Sequence, residues 1–400
     1  MKLRSSLAAL VVLLCLVVIL TAGASAGTEK VLYTFTDGSD GGYPADTGGL
    51  LVRDTNGNLY GTVEYGGSCG DGAVFKLSRS GVETVLHNFC GSDGANPYGA
   101  LIRDSAGTFY GTTVDGGAFG CGTVWGLSGS TLTTLYSFTC GSDGGNPYAG
   151  VIRDSAGNLY GTTPMYGTYS GGVVYEISSG AFSVLYTFCS NSGCTDGEYP
   201  YGGLTADGIG NLYGTTFQGG TGNNSGTVFK LSKSGAGWRE TVLYNFTDGS
   251  DGEDPNNASL TLVHNEVGGK QLNVVFGVAW LGGANNIGTA FSLTEAESGY
   301  KFSVIHTFAG PDGEKPLGTL TYVKGKLYGT TEFGGTVGGG TVFELASKNQ
   351  GWTETVLYSF TGGSDGDDVR SGVISDSKDN LYGVTFLGGG GAGVVYQVVP

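Results

Sequence analysis

Short acidic loops recur along this chain with a spacing that can gather oxygen ligands on one side of a fold. Asp-Gly pairs occur within Asp37-Gly38-Ser39-Asp40-Gly41, at Asp93-Gly94, Asp143-Gly144 and Asp196-Gly197, between Asp248 and Gly252, and at Asp312-Gly313 and Asp365-Gly366. Carboxylates and carbonyls at such turns are the hard donors that calcium takes, roughly six to eight per ion. The doubly acidic pairs Asp37/Asp40 and Asp248/Asp251 are therefore the candidate ligands for calcium, the one cofactor the chain suggests. Their spacing lacks the alternating ligands and terminal Glu of an EF-hand. Turn chemistry is the preferred reading, because Asp caps its own backbone and Gly takes positive φ. Repetition answers a structural need better than it answers the need for one active site. Asp54, Asp104, Asp154 and Asp376 read in the same way, as caps of tight hairpins.

Several of these loops continue into Pro-Tyr, at Pro97-Tyr98, Pro147-Tyr148 and Pro200-Tyr201. A second loop class sets an aromatic or acidic residue just before Gly-Gly, at Glu64-Tyr65, Asp115, Phe217-Gln218, Trp280-Leu281, Glu332-Phe333 and Phe386-Leu387. Aromatic faces with Asp and Asn side chains suit sugar rings and hydroxyls. Tyr65, Tyr98, Tyr148, Tyr201, Trp280 and Phe333 are accordingly the candidate ligand-binding residues, and a polysaccharide or a cell-surface protein is the expected partner. A polysaccharide hydrolase or lyase is the enzymatic alternative, and hydrolysis needs two carboxyl groups about 5 to 10 Å apart. No complete catalytic motif is visible, and the catalytic residues of such an enzyme are not assignable. His87 and His306 fill a slot that is Tyr33, Tyr136, Tyr186, Tyr244 or Tyr358 elsewhere, and His264 has no evident partner. Arg53, Arg103 and Arg153 end β-type runs; they can meet an anion, but pairing with a nearby Asp is the simpler expectation.

The N-terminus has Lys2 and Arg4, an apolar run from Leu7 to Leu20, and Ala24-Ser25-Ala26, the pattern of a secretory signal peptide over residues 1–26. The apolar run is shorter than the roughly 20 residues of a spanning helix, so no membrane span is expected after cleavage. The formal charge is −16, and losing Lys2 and Arg4 takes it to −18. That sign argues against nucleic acid as a partner. Six cysteines follow the leader, an even number in an exported chain, so disulfides are the default. Cys69 and Cys90 lie in one repeat, Cys121 and Cys140 occupy nearly the same places in the next, and Cys189 and Cys194 share a loop. Pairing within each repeat follows from that recurrence. A zinc site is disfavoured by the absence of two-residue ligand spacing.

The elements that must position these residues follow a long period. Asn-Leu-Tyr-Gly-Thr occurs at 58–62, 158–162 and 211–215, with variants at 108–111, 274–277, 326–329 and 380–384. From Tyr60 to Tyr382 the spacing averages near 54 residues, close to the roughly 50-residue units of propeller arrays. Each unit holds four short β-type runs separated by turn residues, for example 49–53, 58–62, 73–77 and 84–89, a four-stranded antiparallel meander. Glycine, 78 of 400 residues, falls at repeat-fixed positions, so it marks turns rather than disorder. Val31-Leu32-Tyr33-Thr34-Phe35 matches the fourth run of later units, and the chain ends on a third run, Val394 to Val398. The expected architecture is an all-β, seven-bladed β-propeller over residues 27–400, a single domain and a monomer. Its last blade is completed by the first strand, one plus three, which removes free sheet edges.

The unit at Gly150 to Thr163, the Gly-Gly loop, Gly-Thr-Val-Phe and Val-Leu-Tyr-Ser-Phe together resemble the GloVer-type tandem repeats of exported bacterial proteins, with a more distant similarity to NHL- and kelch-like propeller repeats. The resemblance covers Val31 to Pro400 and implies a propeller. It implies no activity or catalytic residue. Members commonly carry a C-terminal surface anchor, and this chain ends on its last blade, so a secreted or periplasmic protein is expected. A carbohydrate-binding module is the leading functional expectation, and a protein-binding surface scaffold is the further alternative.

Overall fold

The structure, a computed structural model, describes residues 27–44, 50–235, 237–255, 258–267, 270–348 and 351–400. Residues 1–26, on which the signal-peptide reading falls, lie outside the described residues. Seven antiparallel sheets follow one another around a β-propeller. Blade 2 is typical, with strands Ile102–Arg103, Phe109–Thr113, Thr123–Ser128 and Thr131–Ser137. First strands are shorter than the sequence runs suggest, two residues in blades 1 to 4 and 7. Two sheets gain a short extra strand from the loop that enters them, Gly42–Pro44 and Glu314–Pro316. The ring closes as the repeat count requires: Thr28–Thr34 pairs with Val394–Val399, with Thr28 opposite Val399 and Thr34 opposite Val394.

The repeated phrase is explained by packing between its glycine and the third strand. A Cβ built on Gly111 would lie 2.5 Å from the Trp125 ring, and one on Gly61, Gly214 or Gly329 would meet Phe75, Phe229 or Phe343 at 2.8, 2.6 and 2.5 Å. The aromatic ring occupies the space that a side chain would fill, so no larger residue fits there.

That third-strand ring also receives the phenylalanine that ends the preceding blade. Phe35–Phe75, Phe89–Trp125, Phe138–Tyr175, Phe188–Phe229, Phe246–Phe291, Phe308–Phe343 and Phe360–Tyr396 meet at centroid distances from 4.9 to 5.5 Å. Such pairs add about 0.5–1.5 kcal/mol each beyond area burial. The last of them, Phe360–Tyr396, packs blade 6 onto the blade that the N-terminal strand completes. Disulfides join Cys69 to Cys90 and Cys121 to Cys140, as their recurrence predicts, and Cys189 to Cys194 within the loop they share. No described helix is long and apolar enough to cross a membrane.

Candidate functional site

In a four-stranded meander, the loops joining strands two and three and the loops entering each blade leave on one face. Backbone bridges bind the two classes together in every blade, among them Ala95 to Asp115, Glu198 to Gln218, Glu253 to Leu281 and Asp367 to Leu387. In blades 1 and 6 the same contact lengthens into the extra strands, with Gly42 opposite Tyr65 and Glu314 opposite Phe333. The next residue of each entering loop is left-handed and never glycine: Tyr43, Asn96, Asn146, Tyr199, Asp254, Lys315 and Asp368 have φ between 51° and 59°. L-residues adopt this conformation at a cost, which surrounding structure must offset. Here the offset includes backbone bonds, as when Asn96 N–H donates to Asp71 O and the Asn96 carbonyl accepts from Val114 N–H.

The predicted aromatic residues gather on this face in two arcs. Tyr98 and Tyr148 meet edge to face at 5.3 Å, Tyr148 and Tyr201 at 5.2 Å, and Tyr201 and Phe217 at 5.7 Å, a ladder across blades 2 to 4. Trp280 and Phe333 hold the Lys315 ammonium between them, 4.4 and 5.4 Å from the ring centroids. Trp280 Nε1 donates to Glu332 Oε2 at 3.0 Å, and Glu332 Oε1 lies 3.5 Å from Arg370 Nε. Arg370 forks onto Asp368 at 2.7 and 2.6 Å with its guanidinium 4.1 Å from the Phe386 ring centre. Tyr43 then joins Phe386, at 5.3 Å, to Tyr65, at 5.6 Å. The second arc therefore runs from blade 5 through 6 and 7 to blade 1. Sequence reading identified Tyr65, Trp280 and Phe333 in it as ligand candidates and placed Glu332 and Phe386 in its loops, but missed Tyr43, Lys315, Asp368 and Arg370. The available signal was that Lys315 and Arg370 depart from the Asn-Pro-Tyr pattern of blades 2 and 3.

The Asp-Gly aspartates have a shared structural task. The OH groups of Tyr33, Tyr136, Tyr186, Tyr244 and Tyr358 donate to Asp40, Asp143, Asp196, Asp251 and Asp365 at 2.8–2.9 Å. His87 and His306 make the same contact with Asp93 and Asp312, through Nε2 at 2.7 and 2.9 Å. Backbone N–H groups of Thr36, Thr139, Thr247 and Thr361 also donate to these carboxylates. A bulge that leaves one fourth-strand residue unpaired, such as Leu86, precedes the Tyr/His slot in each blade and bends the strand there. Among the calcium candidates, Asp40 and Asp251 are engaged in this way, while Asp37 and Asp248 sit at left-handed turns.

The hairpin aspartates cap as expected: Asp54 accepts from Asn56 N–H, Asn58 N–H, Asn58 Nδ2 and Tyr60 OH. Arg53, Arg103 and Arg153 lie over the rings of Tyr382, Tyr60 and Tyr110 at 5.6–5.9 Å and form no salt bridge among the described residues. His264 Nδ1 lies 2.8 Å from Asn273 Oδ1.

The acidic charge of the face concentrates at the entry to blade 5. Burial, a hydrogen bond with Asp248 and the charges of Asp254 and Asp248 push Glu253 up to about 7. Burial and Asp248 push Asp254 up to about 6. Burial likewise raises Glu332, against the lowering effect of Trp280, Arg370 and Lys315. A carboxyl group protonated near neutral pH can donate a hydrogen bond or a proton, so this sector has acid chemistry available.

Solved structures that resemble the chain do so at low sequence identity. An ancestral GH74 enzyme superposes with a TM-score of 0.55 at 13% identity, over 90% of this chain and 48% of that one. PorZ, a surface component of the type-IX secretion system of Porphyromonas gingivalis, gives 0.46 at 14% identity over 82% and 44% of the two chains. A protein of unknown function from Dyadobacter fermentans gives 0.43 at 10% identity over 92% and 96%. The first of these likenesses shows the fold alone. No curated protein matches the sequence. Residues 46–271 and 266–400 match the Gloeobacter/Verrucomicrobia repeat.

Proposed function

The chain belongs to the Gloeobacter/Verrucomicrobia repeat family, and on its own residues we propose that it is an exported carbohydrate-binding module whose loop-rich face carries the ligand. The ladder of Tyr98, Tyr148, Tyr201 and Phe217 carries this reading. Three entering loops present rings at a regular interval, which suits successive sugar units of a polysaccharide. The second arc adds the polar groups that hydroxyls need, in Glu332, Asp368 and Arg370. Export is supported by the leader-like N-terminus and by three disulfides, which persist in oxidising surroundings. A polysaccharide retained by the wild type tests the face. Replacing Tyr98, Tyr148 and Tyr201 together with Ala is expected to weaken its binding by about a hundredfold or more, with a cooperative melt retained. Undiminished binding in the folded triple variant contradicts the assignment.

A hydrolase is the second reading, favoured by the raised carboxyl groups Glu253 and Asp254. Chain cleavage of the retained polysaccharide, abolished by Glu253→Gln, would establish it. Intact polymer after prolonged incubation supports binding alone.

A further inference from the structure

On the face opposite the aromatic arcs, at the junction of blades 7 and 1, lies a cavity of about 570 Å³. Four cationic side chains line it, from four separate segments: Lys30 on the closing strand, Arg53 on the first strand of blade 1, Arg79 in the hairpin of its outer strands, and Lys378 in the first hairpin of blade 7. Asp376 is the one carboxylate in the lining, and its oxygens already accept from the N–H groups of Lys378 and Asn380, Asn380 Nδ2 and Tyr382 OH. None of the four cations forms a salt bridge among the described residues. Like charges held around one cavity repel unless an anion enters it.

The repeat shows which of these cations its structure requires. Arg53 has counterparts in Arg103 and Arg153, and its guanidinium rests over Tyr382 at 5.6 Å. Lys30 and Lys378 have no such pattern, and the place of Arg79 is basic again in Lys233 of blade 4 but not in blades 2 and 3. The place of Lys30 is taken by Thr84, Thr241 and Thr355 in blades 1, 4 and 6, and that of Lys378 by Ala106 and Ala156 in blades 2 and 3. The hairpin of Arg79 has Gly129 or Ser179 in blades 2 and 3. Blades fold without these charges, so their convergence at one junction of a chain with net charge −16 calls for a different explanation.

We propose that this cavity binds a multiply charged oxyanion, a phosphate or sulfate ester. Arginine forks match two oxygens of such a group, lysines supply point charge, and Asn380 and Ser80 offer further donors. The acidic remainder of the molecule repels anions at long range, so binding depends on local contacts and favours ligands with more than one charge.

Calorimetric titration of the full folded chain with pyrophosphate, inorganic phosphate and sulfate, each at the same ionic strength set with sodium chloride, tests the site. Saturable one-to-one binding is expected, tightest for pyrophosphate, and a preference for phosphate over sulfate or the reverse identifies the ester. Lys30→Thr and Lys378→Ala restore residues that other blades carry, so folding is expected to persist, and Arg79→Gln keeps a polar side chain there. Each should weaken binding about tenfold, and Tyr98→Ala on the opposite face should leave it unchanged. Absence of saturable binding by the wild type, or undiminished binding in the folded triple variant K30T/R79Q/K378A, overturns the proposal.

Discussion

Asp143 holds together three parts of its loop. It accepts from Tyr136 OH at 2.8 Å, from Thr139 N–H at 2.9 Å and from Thr139 Oγ1 at 2.5 Å. Burial works to raise its pKa, but these hydrogen bonds outweigh burial and hold the carboxyl below the usual range. Asp143→Ala removes the acceptor from these part-buried hydrogen bonds and is expected to cost about 1–3 kcal/mol in chemical denaturation. His306→Tyr restores the residue that five other blades use and should change stability by less than about 0.5 kcal/mol; a large loss would show that the imidazole has a task of its own. The turn function of these aspartates was legible in Asp-Gly, and so was the substitution of His for Tyr. The Tyr–Asp contact was not, because the two residues lie several positions apart and meet only after the fourth strand bulges.

At the scale of the strand, four blade junctions bring a glutamate of one fourth strand beside the aspartate of its neighbour. Burial first, and then the charge of Asp365, Asp40 or Asp196, pushes Glu29, Glu83 and Glu240 up to about 7. Burial and Asp312 push Glu354 up to about 8. A carboxyl whose folded pKa is raised stabilises the fold below its ordinary value of 4.5, and that contribution is lost as pH rises through 7 to 8. Asp143, Asp312 and Asp365 are lowered from 3.8, so their contribution is lost in the opposite direction, as pH falls below that value. The melting temperature is therefore expected to be higher at pH 5 than at pH 8 and to fall again in strong acid. Replacing all four glutamates with Gln should flatten the upper slope measured by scanning calorimetry; an unchanged slope would remove these junctions as its cause. The strand pattern alone did not reveal this, because the neighbouring aspartate belongs to another blade. Two junctions lacking the glutamate instead stack Phe182 on Tyr136 and Phe302 on Tyr244, at 3.9 and 3.8 Å.

For the whole molecule, the seven copies of one phrase and the mismatch between the chain's two ends were enough to give the ring and its closure by Thr28–Thr34. The disulfides followed from recurrence in neighbouring units. Legibility ended where residues break the repeat, because Lys315, Arg370, Lys30 and Lys378 acquire their neighbours only when distant blades are brought side by side. The same ring places the tyrosine ladder and the Trp280–Lys315–Phe333 group on one face, which we propose binds polysaccharide. The most direct measurement is retention of the chain from Gly27 to Pro400 on a broad glycan and polysaccharide array, run once with calcium and once with chelator. Specific retention on a related set of glycans is predicted, and its loss in chelator would assign calcium a part in it. A blank array in both conditions contradicts the claim and leaves a protein-binding scaffold as the reading of this face.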